Sequence, residues 1–83
     1  MSAESLRQVP RRVVGAKQTL KKIARGAVSE VYVAKDADPG VVSDVIREAE
    51  ARTLPLYYVP TMEELGRQCG IQVGAACAAV LEH

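Results

Sequence analysis

The chain has 83 residues, 48% of them hydrophobic and 25% charged, with a net charge of +1. A chain of that length buries only about 60% of the surface its unfolded form exposes, so it forms one domain, residues 1–83, with one core and little room for a deep, enclosed active site. The apolar content excludes a disordered chain. No apolar run approaches the roughly 20 residues of a membrane span, and Met1 to Val9 lacks the apolar centre of a signal peptide, so the cytoplasm is the expected compartment.

In chain order, residues 2–9 are expected to form a short first helix. Val13-Val14 is a brief apolar pair that ends at Gly15. From Lys17 to Arg25 the apolar positions Leu20, Ile23 and Ala24 repeat as on one face of a helix, which Gly26 ends. Val28 to Ala34 reads as a strand, and its unbroken Val31-Tyr32-Val33 run predicts cover on both faces. Asp38 and Pro39 supply an N-cap and a first helical residue. Val41, Val42, Val45, Ile46 and Ala49 then follow with amphipathic helical spacing. After Pro55, Leu56 to Val59 reads as a buried strand. Thr61 with Glu64 three residues on forms a capping box for a short helix carrying Met62, Leu65 and Cys69, which Gly70 closes. Val73 to Leu81, small and apolar, is expected to be the last strand. Helix and strand alternate throughout, which predicts an α/β fold, a three-layer α-β-α sandwich around a small mixed sheet. A doubly wound nucleotide-binding domain would need a glycine-rich loop after its first strand; here Gly15 has no second glycine until Gly26.

The charge is unevenly spread. Residues 1–25 carry seven basic side chains against Glu4 alone, whereas the rest carries four against nine acids. Such asymmetry implies a basic face that meets a polyanion, or else a solvated basic helix. The most informative stretch is Gly15-Ala16-Lys17-Gln18-Thr19-Leu20-Lys21. The glycine allows a tight strand-to-helix turn, and the helix start behind it offers uncapped N–H groups and a positive dipole end to phosphate. Lys17, Lys21 and Arg25 form one stripe at spacings of four, with Gln18 and Lys22 beside it. Lysines fix phosphates, and Lys and Gln also read base edges. Arg7, Arg11 and Arg12 either extend this surface or solvate the first helix.

The remaining polar groups have plainer readings. Cys69 and Cys77 are expected to be buried free thiols, as befits a reducing compartment. Asp36 and Asp38 suit a turn and an N-cap. Glu63 and Glu64 suit the first turn of a helix. Tyr57 and Tyr58, on opposite faces of a strand, suit core or edge packing more than base stacking. The sole histidine, His83, ends a Leu81-Glu82-His83 sequence that has the form of a purification-tag scar and carries no functional weight. No metal or cofactor is expected, and no nucleophile–base pair points to an enzyme.

The Gly15–Lys21 segment, Arg25-Gly26, Ala34-Lys35-Asp36-Ala37-Asp38-Pro39, Leu65-Gly66 and Gly70-Ile71-Gln72-Val73-Gly74-Ala75-Ala76 together resemble the ribosomal protein L7Ae family, its small bacterial members above all. The resemblance runs through nearly the whole chain with motifs in the family's order. It implies an α-β-α sandwich that binds kink-turns, bent RNA elements with a bulge beside tandem sheared G·A pairs. By correspondence, Gly15, Ala16, Lys17, Gln18, Lys21 and Lys22 are expected at the G·A pairs and nearby phosphates, Lys35 at the backbone, and Ile71, Gln72, Val73, Gly74 and Ala75 over the bulged nucleotides. Archaeal and eukaryotic members have Asn and Glu where Lys17 and Gln18 stand, so the guanine contacts here differ in detail, because lysine cannot accept a hydrogen bond. Gly74 stands where many relatives have proline, which implies a looser second loop. The expected function is therefore recognition of kink-turns in ribosomal or riboswitch-like RNA, by a monomer, away from membranes and in company with the ribosome. The alternative is a protein–protein interaction module of the same fold, using a sheet edge or the Val41–Ala49 helix.

Overall fold

A computed structural model describes residues 11–82; the expected helix at residues 2–9, Arg7 and His83 lie outside them. Strand β1 (Arg12–Val14) ends where Gly15 takes φ 103°, a conformation open to glycine but strained for other residues. Helix α1 (Ala16–Ala24) starts there. Its buried line is Ala16, Thr19, Leu20 and Ile23, with Thr19 and Ile23 fully enclosed. Ala24, expected inside, is exposed. The packed face is centred on Thr19 and Ile23, which puts Ala24 roughly a third of a turn away. Strand β2 (Val28–Ala34) is buried along nearly its whole length, as its continuous apolar run predicts.

Helix α2 (Pro39–Ala51) is capped as expected, with the Asp38 carboxylate accepting from the Gly40 N–H at 2.8 Å. It buries Val42, Val45 and Ala49. Strand β3 (Leu56–Val59) is the first marked departure. It was expected to be buried, yet Tyr57 is 39% and Tyr58 49% exposed. The four-stranded sheet runs β1-β4-β2-β3, so β3 is an edge strand and only Val59 is enclosed. Helix α3 (Met62–Gln68) begins at Thr61, whose hydroxyl accepts from the Glu64 N–H at 3.0 Å, while the Glu64 carboxylate holds Arg67.

The last strand, β4 (Cys77–Leu81), starts four residues later than its apolar run suggests. The Ala75 N–H donates to the Met62 carbonyl at 3.0 Å, which ties residues 71–75 to α3, and sheet pairing resumes only where the Ala34 N–H meets the Ala76 carbonyl at 2.9 Å. β4 is antiparallel to both β1 and β2, and β2 is parallel to β3, so the sheet is mixed. A parallel pair needs a crossover, which α2 supplies. Alanine is a poor strand former, but Ala78 and Ala79 at the sheet centre let helices approach on both sides. Helices α1 and α2 pack together on the face bearing Val33 and Cys77, and α3 covers the other. On that second face the Tyr32 hydroxyl donates to Glu30 at 3.2 Å and its ring stacks on Tyr57 with centroids 5.2 Å apart. Burial, and then the Glu30 charge, push the Tyr32 phenol well above its ordinary range, so it stays neutral. Leu81 and Glu82 belong to the sheet region, their N–H groups donating to the Arg11 and Ala27 carbonyls. Among the described residues no helix is long and apolar enough to cross a membrane.

Candidate functional site

Sheet topology brings four chain junctions to one end of the sheet. β1 ends at Gly15, whose N–H donates to the Cys77 carbonyl at 2.8 Å. β2 ends at Lys35, whose N–H donates to the Val59 carbonyl at 2.8 Å, at the end of β3. β4 begins there, preceded by the 71–76 segment. The start of α1, the Lys35 turn, the start of α3 and the 71–76 loop are therefore neighbours.

The start of α1 is electrostatically bare. Gly15 provides no side-chain cap and the first turn holds no acid, so the first N–H groups and the positive dipole end are left to a ligand or water. Lys17, Gln18, Lys21 and Arg25 are exposed, Lys22 is half-buried, and Gly15 and Ala16 are partly covered. The basic stripe expected from the spacing thus lies on the surface, opposite the Thr19–Ile23 face. Lys35 is also exposed, at the same end of the sheet.

The 71–76 loop is made differently. Gln72, Val73 and Gly74 are exposed, Val73 by 71%, and Ile71 is half-buried. Ala75 is 3% exposed, so its side chain supports the loop from beneath. Gly66, inside α3, explains how the loop is seated: a Cβ there would lie 2.0 Å from the Val73 carbonyl oxygen. Sequence reasoning gave Gly66 no such role, although a glycine inside a short helix costs about 1 kcal/mol and hints at a close approach. It placed Asp36 in a turn but missed its long-range contact: the carboxylate accepts from the Met62 N–H at 2.7 Å and so ties the Lys35 turn to the start of α3. A third unforeseen contact joins β1 to the loop's base, where the Arg12 guanidinium donates to the Cys69 carbonyl at 2.5 Å.

Both cysteines are buried and free. Burial raises the Cys69 and Cys77 thiols above their ordinary pKa, partly offset by Arg12 and Thr19 respectively, which keeps them protonated and unreactive at neutral pH. Among the described residues no three His, Cys, Asp or Glu side chains are grouped to hold a metal ion.

The family model of the ribosomal protein L7Ae/L30e/S12e/Gadd45 family matches residues 3–83. The chain is 53% identical over 70 residues to an RNA-binding protein of Caldanaerobacter subterraneus, covering 84% of this chain and 85% of that one. It is 46% identical over 80 residues to an RNA-binding protein of Halalkalibacterium halodurans, covering 96% and 98%. Among solved structures, the Giardia lamblia 15.5kD RNA binding protein superposes with a TM-score of 0.86 at 27% identity, covering 98% of this chain and 68% of that one.

Proposed function

Because the chain belongs to the ribosomal protein L7Ae/L30e/S12e/Gadd45 family, we propose that it is a non-catalytic, monomeric RNA-binding protein of the cytoplasm that recognises and stabilises kink-turns in structured RNA, such as ribosomal RNA or a riboswitch. One observation carries this reading: the exposed Lys17-Gln18 start of α1 and the glycine-bearing 71–75 loop lie at the same end of the sheet. A kinked RNA offers two features side by side, crowded phosphates and unstacked bulge nucleotides. Cations answer the first, and a small apolar loop answers the second, since RNA sequence is best read where bases leave regular stacking.

In this mechanism Lys17, Lys21 and Lys22 bind phosphates around the G·A pairs, and Gln18 reads a base edge with its amide. Lys35 meets the backbone, and Ile71 to Gly74 cover the bulge. The protein prefers the bent form because only the bent form presents all these groups together, and that difference in affinity shifts the RNA's own equilibrium. The rival reading, a protein-docking module, uses either α2, where Val41 is the one large apolar side chain exposed beyond a third, or the β3 edge, where Tyr57 and Tyr58 are exposed.

The test is a titration at fixed salt of a kink-turn duplex and of a copy whose G·A pairs are replaced by Watson–Crick pairs. Tight binding to the first alone is the expected result. Equal or absent binding overturns kink-turn recognition and turns the search to protein partners.

A further inference from the structure

We infer that the crevice between Arg12 and Arg67 is a phosphate subsite for the RNA strand that leaves the bulge, an inference that rests on the RNA reading above. The 71–74 loop stands between two open crevices. One, of about 570 Å³, is lined by Arg12, Arg67, Cys69, Gly70, Ile71 and Gln72. The other, of about 530 Å³, shares Arg67, Ile71 and Gln72 with the first but carries the carboxylates of Asp36 and Glu63 where the first carries Arg12. A strand that passes under or beside the loop has a choice of side. The acidic crevice repels a phosphate, and the arginine crevice attracts one, so the charges on either side of one loop set the strand's direction of exit.

The cations of the crevice are held in place before a ligand arrives. Arg12 lies on β1, and its guanidinium donates to the Cys69 carbonyl at the end of α3. Arg67 lies two residues earlier, in the last turn of α3, with its Nη2 3.0 Å and its Nε 3.2 Å from Glu64 Oε2. A guanidinium already oriented loses less freedom when it engages a phosphate, and its planar fork suits phosphate oxygens. The Arg67 side chain is 60% accessible and its partner Glu64 34%, so the guanidinium faces solvent on its outer side and a phosphate can share it. Gln72 adds an amide donor from the loop itself. Arg12 also supports the end of α3, so substituting it confounds binding with folding. Arg67, exposed on the surface of α3, is the cleaner target.

The experiment compares wild type, Arg67→Gln and the double exchange Glu64→Arg with Arg67→Glu on the kink-turn duplex and its Watson–Crick control. The double exchange keeps net charge and an i, i+3 ion pair but moves the cation away from the crevice. Thermal melting reports on the fold throughout. Arg67→Gln is expected to raise Kd about fivefold and to lower the slope of log K against log salt by about one, with melting unchanged. The double exchange should bind as weakly. A scan of methylphosphonates across the bulge should find one neutralised phosphate that weakens wild type but no longer affects Arg67→Gln. An unchanged Kd and salt slope in Arg67→Gln overturns the subsite, as does full recovery in the double exchange, which would make net charge alone responsible. If wild type fails to prefer the kinked duplex, the RNA reading itself falls and takes this inference with it; if wild type prefers it and Arg67→Gln binds equally well, only the subsite falls.

Discussion

The start of α1 and the 71–75 loop lie at the same end of the sheet but are built by opposite means. Helix α1 presents charge on a rigid element: its Thr19 and Ile23 are fully buried, and the lysines stand on the far side of the same cylinder. The loop presents no charge. Its position is fixed from below, by the Ala75–Met62 hydrogen bond and by the absence of a side chain at Gly66. On the RNA contacts proposed above, the difference amounts to a division of labour. Charge acts at a distance and on any phosphate, so the helix start is suited to affinity. Shape acts only on contact, so the loop is suited to discrimination among RNAs.

The largest effect expected from breaking this division is at Gly66. In Gly66→Ala the new Cβ meets backbone, not a flexible side chain, so either the loop or α3 must move. Overpacking of this kind typically costs about 1–3 kcal/mol. Melting should fall accordingly, and selectivity for the kinked duplex should be lost even where the protein remains folded. Retention of both full stability and selectivity would show that the loop is not held by this contact.

Gln18→Ala comes next. The side chain is exposed, so the fold should be unaffected, while binding to the kinked duplex should weaken by about 1–3 kcal/mol if the amide reads a base edge. Equal losses on kinked and straight RNA would assign Gln18 to backbone contact instead. Lys21→Ala should cost about 1 kcal/mol on every RNA alike and lower the salt slope by about one, since a phosphate cation is removed. An unchanged dissociation constant would remove that helix from the interface.

How much of this was readable in the sequence depended on whether the cause was local. The bounds of β2 and α2 follow from residues that lie next to them, such as the Asp38-Pro39 cap, and they hold to within a residue or two. The charges of α1 are equally local, and their exposure follows from the helical period. Apart from Ala24, whose exposure is a matter of helical angle, what was misread has causes far along the chain. Leu56 to Val59 looks buried by composition, and only the strand order makes it an edge. Val73 to Ala76 looks like strand, and only Met62, more than ten residues away, holds Ala75 out of the sheet. The Arg12–Cys69 contact spans 57 positions, and no periodicity encodes it. The helix half of the candidate site was therefore legible, and the scaffolding of the loop half was not.

The smallest predicted effect is the sharpest test of the division of labour. Val73 is 71% exposed, so Val73→Ala removes two methyl groups that the fold does not use, and stability should stay within about 0.5 kcal/mol of wild type. An apolar side chain so exposed costs nothing to lose in the free protein, and whatever it contributes appears only when RNA covers it. If the loop lies over bulged nucleotides, affinity for the kinked duplex should fall by at most about 1 kcal/mol, the scale of one to two buried methyl groups. The salt slope should be untouched, because no phosphate contact is altered. A loss confined to bulged RNA with constant salt slope would separate shape from charge at this end of the sheet. A loss on straight duplex as well would place Val73 over the backbone and dissolve the distinction between the two halves.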